Sequence, residues 1–184
     1  MTCTFRDRLE WMPDQGELRD RDIRYMLIRP DSLMGLFRNL EETERPAVFA
    51  AFVRSVAEHG RDSVESYRDL GAEEAGELLR TTAETAAQLG WGLWTIQSDQ
   101  AAGTLSLTVR NSPFAEGHGP SDVPVCAAIT GIVKALAELI YGEPAICEEV
   151  HCAAQGNTDC RFDSRLRSAR KFVDRQTISD ARCP

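Results

Sequence analysis

Three cysteines and a glutamate in the C-terminal third of the sequence have the types and spacing that suit a metal ion. Cys126, Glu149, Cys152 and Cys160 read C-x22-E-x2-C-x7-C. Zinc takes four ligands in a tetrahedron and accepts both thiolate and carboxylate. The spacing is not that of a zinc finger, and on spacing alone two other readings stand beside it. His151 can replace Glu149 as the fourth ligand, or the cysteines can be three small buried residues near a surface glutamate. Cys126 stands where a long apolar helix begins, and the positive end of a helix dipole favours a thiolate. Glu149 and Cys152 are three residues apart. On a regular strand they would point to opposite faces, so joint ligation requires a turn or bulge at Val150 and His151. The loop AAQGNTD, with Gly156, then lets Cys160 come back across a hairpin. Four protein ligands leave no open position, which makes such a zinc structural rather than catalytic. Cys3, Cys147 and Cys183 have no partner by spacing and read as bystanders.

The frame around this cluster is that of an ordinary folded domain. The chain has 184 residues, 42% hydrophobic and 27% charged, with a formal net charge of −8. That length is enough for one domain with a proper core. The acidic balance disfavours a nucleic-acid partner or docking on an anionic membrane. The N-terminus, MTCTFRDRLEWMPDQGE, has no apolar core of signal-peptide length, and no stretch reaches the length of a membrane span. A cytoplasmic location is therefore expected, where thiols stay reduced and clustered cysteines mean metal or redox chemistry rather than disulfides.

The elements that must position the cluster follow from periodicity. Residues 1–22 read as an irregular N-terminal arm, residues 23–166 as the domain, and residues 167–184 as a charged tail. Arg24 to Arg29 suits a strand ended by Pro30. Asp31 or Ser32 then caps a helix through Leu40. A second helix starts near Pro46 and carries Phe49, Phe52 and Val56 on one stripe, with His59-Gly60 as its stop or break. Residues 64–70 continue as helix, and residues 72–90 form another, ended by Gly90. WGLWTIQS and TLSLTVRN alternate as a hairpin. Residues 111–122 read as a loop in which His118 is solvated. Val125 to Tyr141 is a helix apolar on most sides, which belongs in the middle of a domain. Ala145 to Ala153 and Cys160 to Leu166 form a second strand pair. Helices first, then strand-strand-helix-strand-strand, predict an α+β fold with an antiparallel sheet of hairpins packed with several helices.

The run NSPFAEGHGPSDVPVCAAITGIVKALAELIYGEPAICEEVHCAAQGNTDCRF resembles the 4-vinyl reductase domain family. The likeness rests on Asn111-Ser112-Pro113 after a strand and on Pro124-Val125-Cys126 opening a helix that contains Gly131. It continues through Glu149 with Cys152, Gly156 with Cys160, and Phe162. The resemblance implies a fold similar to the sensor domains of bacterial regulators that detect phenols and, more distantly, to vesicle-tethering subunits. It also implies a structural zinc on Cys126, Glu149, Cys152 and Cys160, a small-molecule ligand and a homodimer. The ATPase and DNA-binding modules of such regulators have no counterpart in this sequence, so a separate regulator or enzyme partner is expected. The polar phenol anchors of the sensors find no matching positions.

An apolar pocket with a few polar groups is the default small-molecule site. Trp91, Trp94, Phe114, Tyr141 and Phe52 are its candidate lining, each also suited to the core. Trp91 and Trp94, three apart, would face opposite sides of a regular strand, so that one lines the pocket and the other does not. His151 is a candidate to orient a metal ligand from behind. The expected function is a zinc-containing sensor or carrier domain for an apolar, aromatic or hydrocarbon-like ligand. Two alternatives remain. One is a protein of bacteriochlorophyll synthesis that reduces or presents a tetrapyrrole precursor, and the other is a dimeric interaction scaffold. Reduction would need a nicotinamide or flavin. No G-x-G-x-x-G is present, and GAEEAG lies inside a helical run, so an enzyme is the weaker reading.

Overall fold

The computed structural model describes residues 4–68 and 71–168. It is an α+β fold with two antiparallel sheets. The chain opens with a short helix α1 (Phe5–Arg8) and three strands, β1 (Glu10–Met12), β2 (Glu17–Asp20) and β3 (Ile23–Tyr25), paired in that order. The irregular arm expected over residues 1–22 is thus ordered from Thr4 onward. Thr4 and Asp7 form a reciprocal cap on α1, and Arg8 grips the buried Asp20 with a 2.9 Å ion pair. Both interactions join residues in a stretch too polar to carry a periodic signal.

Helices α2 (Pro30–Arg38), α3 (Arg45–Glu65) and α4 (Ala75–Gln88) follow. The expected strand through Arg29 stops at Tyr25, and Met26 to Ile28 run exposed toward Pro30. Pro30 itself opens α2, with Arg29 rather than Asp31 or Ser32 at the cap. Helix α3 does not break at His59-Gly60. It runs through because Gly60 serves close approach rather than termination. A Cβ there would run into Ile132 Cδ1.

The main sheet follows, with strands β4 (Leu93–Asp99), β5 (Thr104–Arg110), β6 (Ala145–His151) and β7 (Cys160–Leu166) in the spatial order β4-β5-β7-β6. Between β5 and β6 lie α5 (Pro113–His118) and α6 (Ala127–Tyr141). Residues 113–118, expected as loop, are helical because Ser112 caps the Ala115 N–H and Pro113 takes the first position. His118 is only 8% exposed, not solvated. The guanidinium of Arg38 donates to the Gly117 and His118 carbonyls and pins this short helix against α2.

Leu105, Leu107 and Val109 of β5 and Cys160 and Phe162 of β7 alternate onto the inner face and are fully or almost fully buried. Helix α6 covers that face, with Ile129, Val133 and Leu136 buried. Helix α3 packs along α6 in turn. At the crossing, Gly131 would place a Cβ 2.8 Å from the Val53 carbonyl. The C-terminal tail, expected over residues 167–184, lies outside the described residues beyond Ser168.

Candidate metal centre and ligand cavity

The cluster assembles where three elements end or begin. Cys126 is the cap residue of α6, Glu149 lies near the end of β6, Cys152 precedes a single 3-10 turn (Ala153–Gln155), and Cys160 opens β7. The ladder between β6 and β7 shifts register between Glu149 and His151. That bulge is the irregularity which the three-residue spacing of Glu149 and Cys152 demands. Gly156, in a left-handed conformation, closes the turn that returns Cys160 to the site.

The four candidate ligand atoms lie within 4.8 Å of one another, and the three cysteines are fully buried. Cys126 Sγ is 4.0 Å from Cys152 Sγ and 3.7 Å from Cys160 Sγ. Tetrahedral zinc–thiolate bonds of about 2.3 Å place sulfurs about 3.8 Å apart, so the three thiols are spaced for one ion. Glu149 Oε2 accepts the Cys126 N–H at 2.8 Å. Its Oε1 is buried with no hydrogen-bond partner. An orphaned buried carboxylate oxygen is costly, and a cation among the sulfurs would satisfy it. The donor set therefore fits a metal ion. His151 is exposed and not among the four.

Electrostatics agree with a site built for a cation. Burial pushes the Glu149 carboxyl up to about 8, helped by the charge of Cys152. Hydrogen bonds from Cys126 and then Cys152 push the Cys160 thiol down to about 4. The Cys126 thiol is pushed up by its bonds to Cys152 and Cys160 and by burial. The helix-dipole argument for an acidic Cys126 thiol thus loses to its neighbours. Without a cation, several anions cannot share one buried volume.

A separate cavity of about 310 Å³ lies between α3, α4, the start of β4 and the N-terminal sheet. Its apolar wall includes Val56, Val64, Leu89, Trp91, Trp94 and Ile132. Both tryptophans line it, contrary to the alternation argument. The strand starts only at Leu93, and Gly92, with φ +93°, turns the chain between them. Trp94 Nε1 donates to the Trp91 carbonyl at 3.0 Å, so its polar edge is already bonded. Phe114 meets Trp91 edge-on at 5.0 Å and lines a neighbouring cavity of about 540 Å³. Tyr25, Leu89 and Trp91 border both cavities. Phe52 packs instead against Phe37 in the core. Tyr141 donates its hydroxyl to the Thr104 carbonyl at 2.7 Å and borders neither cavity.

The polar lining was not legible as such. His59, Ser63 and Tyr67 recur every four residues along α3 and just beyond it, and Thr82 and Thr85 face them from α4. That polar stripe within an otherwise apolar helix face was the available signal. Burial pushes the Tyr67 phenol up to about 12, although a hydrogen bond with Thr85 opposes the shift. The Thr82 hydroxyl is bonded to the Leu78 carbonyl.

Comparison with known proteins adds to this geometry. Residues 105–166 match the vinyl-4-reductase domain. The chain carries that domain. All four candidate ligands fall inside it. No curated protein matches the chain in sequence. Among solved structures, it is similar to the phenol-responsive sensory domain of the transcription activator PoxR, solved with phenol. The TM-score is 0.74 at 19% identity, over 86% of this chain and 85% of that one. It is also similar to a trafficking protein particle complex subunit 3 from Naegleria fowleri covalently bound to palmitic acid. There the TM-score is 0.54 at 11% identity, over 76% of this chain and 96% of that one. At these identities the likeness is one of fold. Among the described residues, no helix is long and apolar enough to cross a membrane.

Proposed function

We propose that this chain is a zinc-containing domain that binds a small apolar, aromatic molecule as a sensor or carrier. The cavity walled by Trp91 and Trp94 carries the reading. It lies inside the domain, is mostly apolar, and has a few convergent polar groups, as small-molecule sites do. Its volume of about 310 Å³ suits a substituted one-ring or a two-ring molecule, since a cavity of about 150 Å³ already admits benzene. A tetrapyrrole is far larger, and an interaction scaffold has no need of such a hole. The phenol held by the similar PoxR sensory domain supports the aromatic class.

Zinc at Cys126, Glu149, Cys152 and Cys160 would hold α6 to the β6–β7 hairpin. It supplies charge neutralisation and cross-linking, with no open position for catalysis. A homodimer and a separate protein that reads the bound state complete the proposal. Native mass spectrometry of the purified protein tests it. One zinc per chain and a retained apolar molecule are expected. Isothermal titration with phenol, 2-naphthol and an alkane follows. Absence of binding by any aromatic, or equal binding by a Trp94→Asp variant that remains folded, would overturn the ligand assignment.

A further inference from the structure

The main sheet ends in a strand whose outer edge faces a groove. Strand β6 pairs with β7 on one side and lies at the sheet's margin on the other. The Arg167 N–H donates to the Pro144 carbonyl at 2.8 Å, so that pair faces inward across the ladder. Antiparallel pairs alternate between hydrogen-bonded and open. Ala145, Cys147 and Glu149 therefore turn their N–H and C=O groups outward. The Ala145 N–H confirms the phase, because it leaves the sheet for Glu138 Oε1 at 3.1 Å. Among the described residues, none hydrogen-bonds to the backbone of Cys147 or Glu149 on that outer side.

Beside this edge runs an open groove of about 760 Å³ between β6, the first half of α3 and residues 118–124. Phe49, Ala50, Val53, Val123 and Ala127 give it an apolar lining. Its charged rim is acidic, with Glu42, Asp122 and Glu148. Among the described residues, the one Lys or Arg in the lining is Arg45, already bonded to the Leu40 and Arg38 carbonyls.

We propose that the β6 edge is a docking site for an extended segment of a different protein, with basic and apolar residues in alternation. The segment adds as a fifth strand about 4.8 Å from β6. Its backbone meets the outward groups of Cys147 and Glu149. Its apolar side chains lie over Phe49 and Val53, and its basic ones meet Glu148 and Asp122. Charge selects this occupant over a second copy of the chain. Self-pairing would gather Glu148 and Glu149 of both copies along one seam, and like charges across a seam repel.

The test is a selection of phage-displayed heptapeptides on the full-length protein. Enriched peptides are then titrated by fluorescence polarisation against the native protein, Cys147→Pro and Glu148→Lys. Proline is tolerated at an edge position whose N–H points away from the ladder, so Cys147→Pro removes the docking donor and leaves β6–β7 paired. Circular dichroism and metal content verify folding. Enriched sequences should alternate Lys or Arg with Val, Ile or Thr, and bind both variants at least tenfold more weakly. If Cys147→Pro does not fold, a peptide N-methylated at alternate amides replaces it, with a tenfold loss in one register and none in the other. No enrichment, or binding equal on native and Glu148→Lys protein, overturns the proposal. So does a native dimer that Glu148→Lys tightens or Cys147→Pro makes monomeric, since the occupant is then a second copy.

Discussion

Chelation of the metal should cost the domain a large part of its stability. The ion would join the start of α6, the end of β6 and the start of β7 through four ligands within 4.8 Å. Its removal leaves the buried Glu149 Oε1 with no partner, a penalty of about 1–3 kcal/mol. It also forfeits the mass-action term. At a free ion concentration a thousand times the dissociation constant, that term is about 4 kcal/mol. A domain of this size loses about 2–4 °C of Tm for each kcal/mol. Loss of the mass-action term alone thus predicts a fall of about 8–16 °C. The assay is differential scanning fluorimetry before and after dialysis against a strong chelator, with zinc quantified in the same samples. Re-addition of one equivalent of zinc should restore Tm. A shift below about 2 °C in protein shown to be metal-free would refute the reasoning, because the cross-link would then carry no folding energy.

Metal affinity should fall steeply with acid. Below pH 8, Glu149 and the Cys126 thiol both hold protons in the metal-free site, and an ion must displace both. Competition with a chromogenic chelator should therefore show affinity dropping about a hundredfold per pH unit, and a change under tenfold would contradict this. The metal-free domain behaves differently. Glu149 is raised from 4.5 to about 8, so its stabilisation is complete below pH 4.5 and lost as pH rises through 8. Cys160 is lowered from 9.0 to about 4, so its contribution is present above pH 9 and lost as pH falls through 4. The two oppose, and urea titrations of metal-free protein should show a shallow pH dependence across that range. Gly131→Ala should destabilise by about 1–3 kcal/mol through overpacking, since its Cβ would meet the Val53 carbonyl at 2.8 Å. Gly76→Ala in α4 meets nothing within 4 Å and should stabilise by about 0.5–1 kcal/mol. Chemical denaturation of the pair should show opposite signs.

The metal centre was the most legible part of the sequence because its ligands are of rare type and its constraint is local. The spacing of Glu149 and Cys152 required a bulge, and the register shift supplies it. The strand-strand-helix-strand-strand order of residues 93–166 was likewise readable, since the alternation in β5 and the length of α6 have few other solutions. The N-terminal sheet was not. Its strands are three or four residues long, and an ion pair between Arg8 and Asp20 holds what no apolar pattern announces. Glycine misled in the same way at Gly60, where a stop signal proved to be a packing contact. The ligand cavity was half visible. Its tryptophans stood out, but a strand boundary two residues later than expected placed both on one side.

The cavity and the recognisable segment barely overlap. Residues 105–166 match the vinyl-4-reductase domain and contribute all four candidate metal ligands. Of the residues that line the cavity, only Ile132 comes from that segment, and the rest precede it. The two halves of the molecule can therefore diverge on separate terms. Substitutions along α3, α4 and the N-terminal sheet can reshape what enters the cavity without disturbing the metal-bound frame. Membership of the frame then says little about cargo, and proteins sharing it need share no ligand. For anyone re-engineering this domain to report on a chosen compound, residues 23–94 are the part to randomise and residues 105–166 the part to leave alone.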